Sequence, residues 1–278
     1  DTEMIMTGSM AVGKGLYDWF MATYAGVNPE TGQAQYVGFY DANLGSWGTS
    51  NSADMLQATG KNGNNYISNV YEYREKHPDA DIQQEIVSGY ESAYAGNDYV
   101  GKSAIADFAG GFGLDLDVYG VSLAITCSYG IGGWGYDNTY AMLMSSDKAG
   151  GYNWHVDMRN AWNRMMTDEE KQAVADLGTA GIPRLSNGSD RYANKASTRF
   201  LTSNSFLSLN NIRLGYTFPK KLIEKIKLNT LNIYVSADNL AILSARKGFN
   251  PMASFAGTSD AYQYTPLSTV MGGIKFQF

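Results

Sequence analysis

The sequence predicts an all-β fold, with antiparallel strands closed into a transmembrane β-barrel and short helices confined to long loops on one side. Three observations predict it. The chain ends in two-residue alternation, with Val270, Gly272, Ile274, Phe276 and Phe278 on one face and Met271, Gly273, Lys275 and Gln277 on the other. That is the pattern of a barrel stave with lipid on one side and water on the other. Aromatic and turn-forming residues are abundant: 20 Tyr, 5 Trp and 31 Gly stand against 6 Pro and 17% charged residues among 278, a mixture suited to strands and interfacial aromatic girdles. No stretch reaches the roughly 18 uncharged apolar residues that a spanning helix needs, so a membrane would be crossed by strands.

Two-residue periodicity, punctuated by Gly, Asn and Pro, places eight strands near 2–12, 15–25, 33–42, 108–119, 121–131, 204–217, 229–244 and 268–278. The fourth carries Asp115 and Asp117 opposite Leu114, Leu116 and Val118. The fifth sets Val121, Leu123, Ile125 and Cys127 against Ser122, Ala124, Thr126 and Ser128. In the sixth, Leu207 and Leu209 precede Asn210-Asn211 and Ile212, Leu214, Tyr216 and Phe218 follow it; a slip of one residue there predicts a β-bulge. The seventh is the clearest, with Leu231, Ile233, Val235 and Ala237 alternating with Asn232, Tyr234, Ser236 and Asp238.

The connections sort by length. With the last strand running downward, 43–107, 132–203 and 245–267 fall on the upper side, whereas the short links 26–32, 119–120 and 218–228 fall on the lower side. The brief Gly13-Lys14-Gly15 link is the exception. Short turns at one rim and long loops at the other is the asymmetry of bacterial outer-membrane barrels, whose long loops are extracellular. Two helices are expected in those loops: one after the capping box Thr167-Asp168-Glu169-Glu170, stopped by Gly178, and one over 66–76, ended by Pro78.

A net charge of −6 argues against nucleic acid as a partner, because phosphate binding requires a basic surface. The single cysteine, Cys127, excludes an internal disulfide framework and a cysteine-based zinc site. The chain opens at Asp1 without a charged-then-apolar leader, which leads to the expectation of a removed signal or of the downstream piece of something longer.

A family resemblance follows from the motifs. Arg199-Phe200-Leu201 and Phe206 through Pro219, then Leu231-Asn232-Ile233-Tyr234-Val235-Ser236-Ala237-Asp238-Asn239-Leu240, then Lys247-Gly248-Phe249-Asn250-Pro251 resemble successive segments near the end of SusC/RagA-type TonB-dependent transporters. Upstream, Ala25-Gly26-Val27-Asn28-Pro29-Glu30-Thr31-Gly32 is similar to a turn of the same family, and so is the Gly110-Gly111-Phe112 to Val121 stretch. Asn250 departs from the family's Asp, and the acidic residue after Pro251 is missing. The resemblance implies a plugged barrel of about 22 strands, of which residues 1–278 are the C-terminal segment, the plug domain and earlier strands lying outside this chain. It further implies a bacterial outer-membrane location and import of an oligosaccharide or oligopeptide. The implied partners are a SusD-like surface lipoprotein, the TonB complex acting through the plug, the remaining barrel strands and outer-membrane lipid.

Other signals are weaker. Gly130-Ile131-Gly132-Gly133-Trp134-Gly135 fits a dinucleotide fingerprint, but no helix of sufficient length opens there, and strand-end glycines explain it. Asp115 and Asp117, two apart on one strand, suit a polar wall better than a hydrolytic carboxylate pair. His77 and His155 have no ligand spacing. Asp79, Asp81 and Glu85 hint at calcium but lack the turn glycine. Lys220, Lys221, Lys225 and Lys227 read as solvated turn charges. Expected contacts with cargo or partner are the loop aromatics Trp134, Trp154, Trp162, Tyr90 and Tyr94, with Trp47 a further member of the set. No catalytic residue, metal or cofactor is expected. A secreted β-rich carbohydrate-binding or hydrolytic domain would share the aromatics and carboxylates but not the sorting of loops, and would need no detergent.

Overall fold

The computed structural model describes residues 10–44, 56–57, 65–145, 153–185, 191–254, 256–258 and 266–278. It divides into two compact units, one of residues 1–103 with 137–201 and one of residues 104–136 with 202–278.

The first unit holds β1 (Asp18–Ala22), β2 (Tyr24–Val27), β3 (Ala34–Asp41), the two-residue β4 (Leu56–Gln57) and β5 (Tyr66–Ile67), β6 (Ile82–Ser88) and β7 (Asn97–Ser103). β1 and β7 form an antiparallel ribbon, and β2-β3-β5-β4 form a sheet in which β6 also pairs with β3. Its helices are α1 (Val70–Lys76), α2 (Asn138–Leu143) and α3 (Asp168–Asp176). The expected capping box is present at α3: Glu170 N donates to Thr167 Oγ1 at 3.2 Å and Thr167 N to Glu170 Oε2 at 2.8 Å. Asn69 caps α1, its side chain accepting from Glu72 N at 3.1 Å.

This unit departs from the expectation that 15–25 and 33–42 are barrel staves. Alternation in β3 serves an internal core: Tyr24, Tyr36 and Tyr66, each at most 1% exposed, pack with Ala22, Ala34 and Val87. Tyr24 also donates its hydroxyl to Gly181 O at 2.8 Å, and its burial pushes the phenol pKa up to about 12. The 26–32 link was expected at the short-turn rim. It closes instead on Trp162, a residue of the long 132–203 segment: the indole N–H donates to Pro29 O at 2.9 Å, and a Cβ at Gly32 would fall 2.2 Å from the Trp162 ring. Asn28 makes the turn tight, its side-chain oxygen accepting from Glu30 N and Thr31 N. Strand 2–12 lies, but for Met10–Val12, outside the described residues, and those three are not in a strand.

Lys195 ties one more piece of this unit together. Its ammonium donates to Ser92 O, Ala93 O and Ala95 O at 3.1, 3.3 and 2.6 Å, satisfying carbonyls at the end of the 3-10 helix Gly89–Tyr94. Burial lowers its pKa to about 8, which leaves the charge in place at neutral pH.

The second unit holds β8 (Phe108–Val118), β9 (Val121–Ile131), β10 (Trp134–Tyr136), β11 (Leu201–Ser203), β12 (Phe206–Thr217), β13 (Thr230–Ser244) and β14 (Thr269–Gln277). Five of these make one antiparallel sheet in the order β14-β13-β12-β9-β8. With 11, 11, 12, 15 and 9 residues, β8, β9, β12, β13 and β14 have the length of the roughly 9–11-residue tilted strand that crosses a bilayer. Register aligns the apolar positions across all five. Leu116, Leu123, Leu214, Val235 and Gly272 form one row, and Leu114, Ile125, Ile212, Ala237 and Val270 the next. Most of these large side chains are exposed, Val270 at 68%, as an outer belt facing lipid requires.

The expected bulge is present between Leu209 and Asn211. Between the Cys127-Leu209-Ala241 row and the Ile125-Ile212-Ala237 row, β9 advances two residues, β12 three and β13 four. β12 therefore changes phase at Asn210, and β13 absorbs its excess around Asn239, which adopts left-handed φ 52°. Both devices keep the rows from Leu207 and Leu243 to Tyr216 and Ile233 on a single face, while Ile242, level with Ser208 and Ser128, lies on the other.

These features generate three tests in the full-length protein. Val235→Arg, at a lipid-facing position, should cost roughly 2–4 kcal/mol of barrel stability, whereas Thr126→Arg on the polar face should cost under about 1 kcal/mol by the same solvent argument. Unfolding in urea-containing lipid vesicles reads both, and equal costs would contradict the facing. Deleting Asn210 should put Phe206–Leu209 on the wrong faces and abolish the heat-modifiable folded band on gels; a normal band would contradict the bulge's role. Lys195→Met should cost about 1.5–3 kcal/mol locally, seen as lost hydrogen-exchange protection over Gly89–Ala95, and unchanged protection would count against the cap.

Candidate functional site

The polar face of the sheet, which lines the interior of a barrel, is a surface of mixed charge. Asp115 sits opposite Ala124, and Asp117 opposite Ser122. The Arg213 guanidinium lies 4.1 Å from the centre of the Tyr234 ring, a cation–π stack that holds it flat against the wall. Asn211 Nδ2 donates to Asp238 Oδ1 at 2.6 Å, Ser128 Oγ to Asn210 Oδ1 at 3.2 Å, and Asn232 Nδ2 to Thr217 Oγ1 at 2.9 Å. Tyr234 also lies against Gly273, where any Cβ would fall 2.4 Å from the ring. Such a face can exchange hydrogen bonds with a passing polar solute.

A recess of about 890 Å³ opens at the far end of β13, a size within the range of small-molecule sites. Leu240, Ile242, Leu243, Phe249, Met252 and Pro266 supply most of its apolar lining. Ser208, Asn239 and Lys247 add polar groups. Ser244 Oγ shapes it through contacts of 3.0 Å with both Arg246 O and Phe249 O. In the sequence this region is marked by the ends of the Phe206–Pro219 and Leu231–Leu240 motifs and by the Lys247–Pro251 motif.

The expected contact aromatics fall into different settings. Tyr90 is 70% exposed and Tyr94 half-buried; their rings meet edge to face at 5.7 Å, with the hydroxyls 3.1 Å apart. Tyr94 stacks on Tyr66 at 6.1 Å, and Tyr66 donates a short hydrogen bond to Glu85. Burial and that carboxylate push the Tyr66 phenol well above its ordinary range. Trp154 is 40% exposed. Trp162 is 4% exposed and occupied with Val27, Val174 and Met166, a packing role that removes it from the exposed set. Trp134 lies half-buried in β10 of the second unit. Trp47 lies outside the described residues.

The weaker motifs resolve into structure. The Asp79–Asp81 region is organised by Asp41, whose carboxylate accepts from Asn43 N, Asp81 N and the Tyr73 hydroxyl at 2.9, 3.1 and 3.0 Å. Among the described residues no group of three or more His, Cys, Asp or Glu could hold a metal ion. Gly132 and Gly133 adopt φ of 83° and 73° in a turn tied down by Ser205 Oγ, which accepts from Gly132 N at 3.0 Å, and by Asn204 N, which donates to Gly133 O at 3.1 Å. The six-residue α2 that follows β10 is capped by Asp137.

No protein-family model matches the chain. Two proteins of Formosa agariphila are similar in sequence: TonB-dependent receptor P3, 25% identical over 166 residues, and TonB-dependent receptor P39, 24% identical over 183 residues. The matches take in 60% and 63% of this chain but 15% and 16% of those receptors, so the chain spans a small part of their length. Among solved structures, the RagAB peptide transporter is similar at 23% identity with a TM-score of 0.60, over 94% of this chain and 23% of that one. The RagAB peptide importer in its closed-closed and open-open states is similar with TM-scores of 0.61 and 0.58. The structural likeness shows that the chain shares the fold of part of the RagAB transporters, and the names of its sequence relatives, TonB-dependent receptors, agree with that fold.

Proposed function

We propose that this chain is the C-terminal part of the wall, with several extracellular segments, of an active importer of oligosaccharides or oligopeptides. The plug and the remaining barrel strands come from the rest of the same protein, the TonB complex acts through that plug, and a SusD-like lipoprotein closes over the cargo. The chain contributes passage and contact surface rather than catalysis. One observation carries the reading: a five-stranded sheet apolar and exposed on one face and polar on the other, with the short β8–β9 and β12–β13 turns at one end and the long segments leaving from the other. The likeness to a peptide importer supports cargo of oligopeptide size.

Contact with cargo or lid is assigned to Tyr90 and Tyr94, with Trp154 and Trp134 as further members. Tyr90 is the best placed, because its ring is exposed while Tyr94 fixes its orientation.

Uptake of fluorescent oligopeptides and oligosaccharides by intact cells tests the reading. Import of one class should disappear when the full-length gene or TonB is deleted, and the protein should leave the membrane fraction only with detergent. TonB-independent uptake, or recovery of the protein in aqueous buffer, would contradict it. Tyr90→Ala should lower uptake at sub-saturating cargo by about 2- to 10-fold, the value of one aromatic contact, with barrel abundance unchanged.

A further inference from the structure

We propose that the turn joining β12 to β13, together with the groove beside it, is a binding site for an anionic phospholipid of the periplasmic leaflet, with an acyl chain in the groove and the headgroup phosphate on the turn's lysines. The inference rests on the outer-membrane placement and is independent of the cargo.

The turn runs from Pro219 through α4 (Lys220–Ile223) and the 3-10 turn Glu224–Ile226 to Lys227, which is left-handed at φ 59°. Ile223 is buried and anchors it, and Leu228 N closes it onto Ile223 O at 3.2 Å. Its other two large apolar residues turn outward: Leu222 and Ile226, four apart, are each 60% exposed. Lys220, Lys221, Lys225 and Lys227 are exposed around them. Lys220 lies 3.8 Å from Glu224, and the other three have no ion pair among the described residues. Left in water, two outward aliphatic side chains on one turn contribute nothing to its stability. A turn lying in the bilayer interface immerses them and sets the lysines at headgroup level.

The groove supplies the second observation. A depression of about 370 Å³ is lined by Val121, Leu214, Tyr216, Phe218, Ile233 and Val235, all on the lipid-facing belt or at its end. The Tyr216 and Phe218 rings meet edge to face at 4.9 Å, at the level where aromatic girdles mark the membrane interface. Phe218 N donates to Leu231 O at 2.9 Å, which fixes the chain as it leaves the sheet, and Lys220 follows two residues later. Groove, aromatic collar and lysines are therefore consecutive along one edge. Short turns of such barrels are periplasmic, so the lipid within reach is a phospholipid of that leaflet. The lysines favour an anionic headgroup, and the one or two that reach a single phosphate at a time, at about fivefold each near a charged surface, set a preference on the order of tenfold.

Native mass spectrometry of the full-length protein in mild detergent tests this with added phosphatidylglycerol and phosphatidylcholine of identical chains. The protein should retain phosphatidylglycerol about tenfold better. The quadruple variant K220Q/K221Q/K225Q/K227Q should lose that preference while holding phosphatidylcholine as before, and L222S/I226S should weaken retention of both. A quadruple variant that keeps its phosphatidylglycerol would overturn the proposal, as would displacement of the bound lipid by millimolar inorganic phosphate. Cargo uptake by the same variants should be unchanged, which separates failure of the lipid site from failure of the importer reading.

Discussion

A strand in hydrocarbon has no water to satisfy its amides, so each backbone donor and acceptor must be met by a neighbouring strand. That constraint organises the second unit. β8, β9, β12, β13 and β14 pair antiparallel in one continuous sheet, and burial of one face in lipid in turn requires every strand to present its apolar residues to the same side. Three strands of unequal advance meet this requirement through the phase change at Asn210 and the left-handed residue Asn239. The irregularities in β12 and β13 are the condition for a continuous belt, not defects in it.

The first unit obeys the opposite rule. Its strands are short, and they bury Tyr24, Tyr36 and Tyr66 against alanines and Val87, with the Tyr24 hydroxyl returned to a carbonyl and that of Tyr66 to a carboxylate. Segments attached by sequence to the long-loop end of the sheet thus have a tyrosine-rich core of their own. A built segment of this kind holds the exposed Tyr90 ring against Tyr94, and the contact proposed for it would gain from being ordered before binding.

Legibility followed the physics of each region. The five wall strands, the bulge and the α3 cap were readable because period-two alternation and the Thr167–Glu170 spacing are local signals. β6 and β7 were not read: Ile82-Gln83-Gln84-Glu85-Ile86-Val87-Ser88 has weak alternation, and its strand character comes from pairing with β3. The alternation of 15–25 and 33–42 predicts strands but not their setting, because a strand buried by tyrosines alternates just as one facing lipid does; only the partner across the face distinguishes them. The same limit applies to Trp162, whose sequence context could not reveal that Gly32 leaves room for its ring. Lys195 gave no sequence signal, since its three carbonyl partners lie about a hundred residues earlier. Leu222 and Ile226 were hidden among the lysines of a short turn.

The most direct test of the account is a cysteine scan along β13 in a Cys127→Ser background of the full-length protein in its native membrane. Cysteines at 231, 233 and 235 should be inert to a charged aqueous maleimide and quenched by a lipid-soluble probe, whereas those at 232, 234 and 236 should show the reverse. Two-beat alternation of that kind is the predicted result; uniform protection of all six, as inside a water-soluble core, would contradict it.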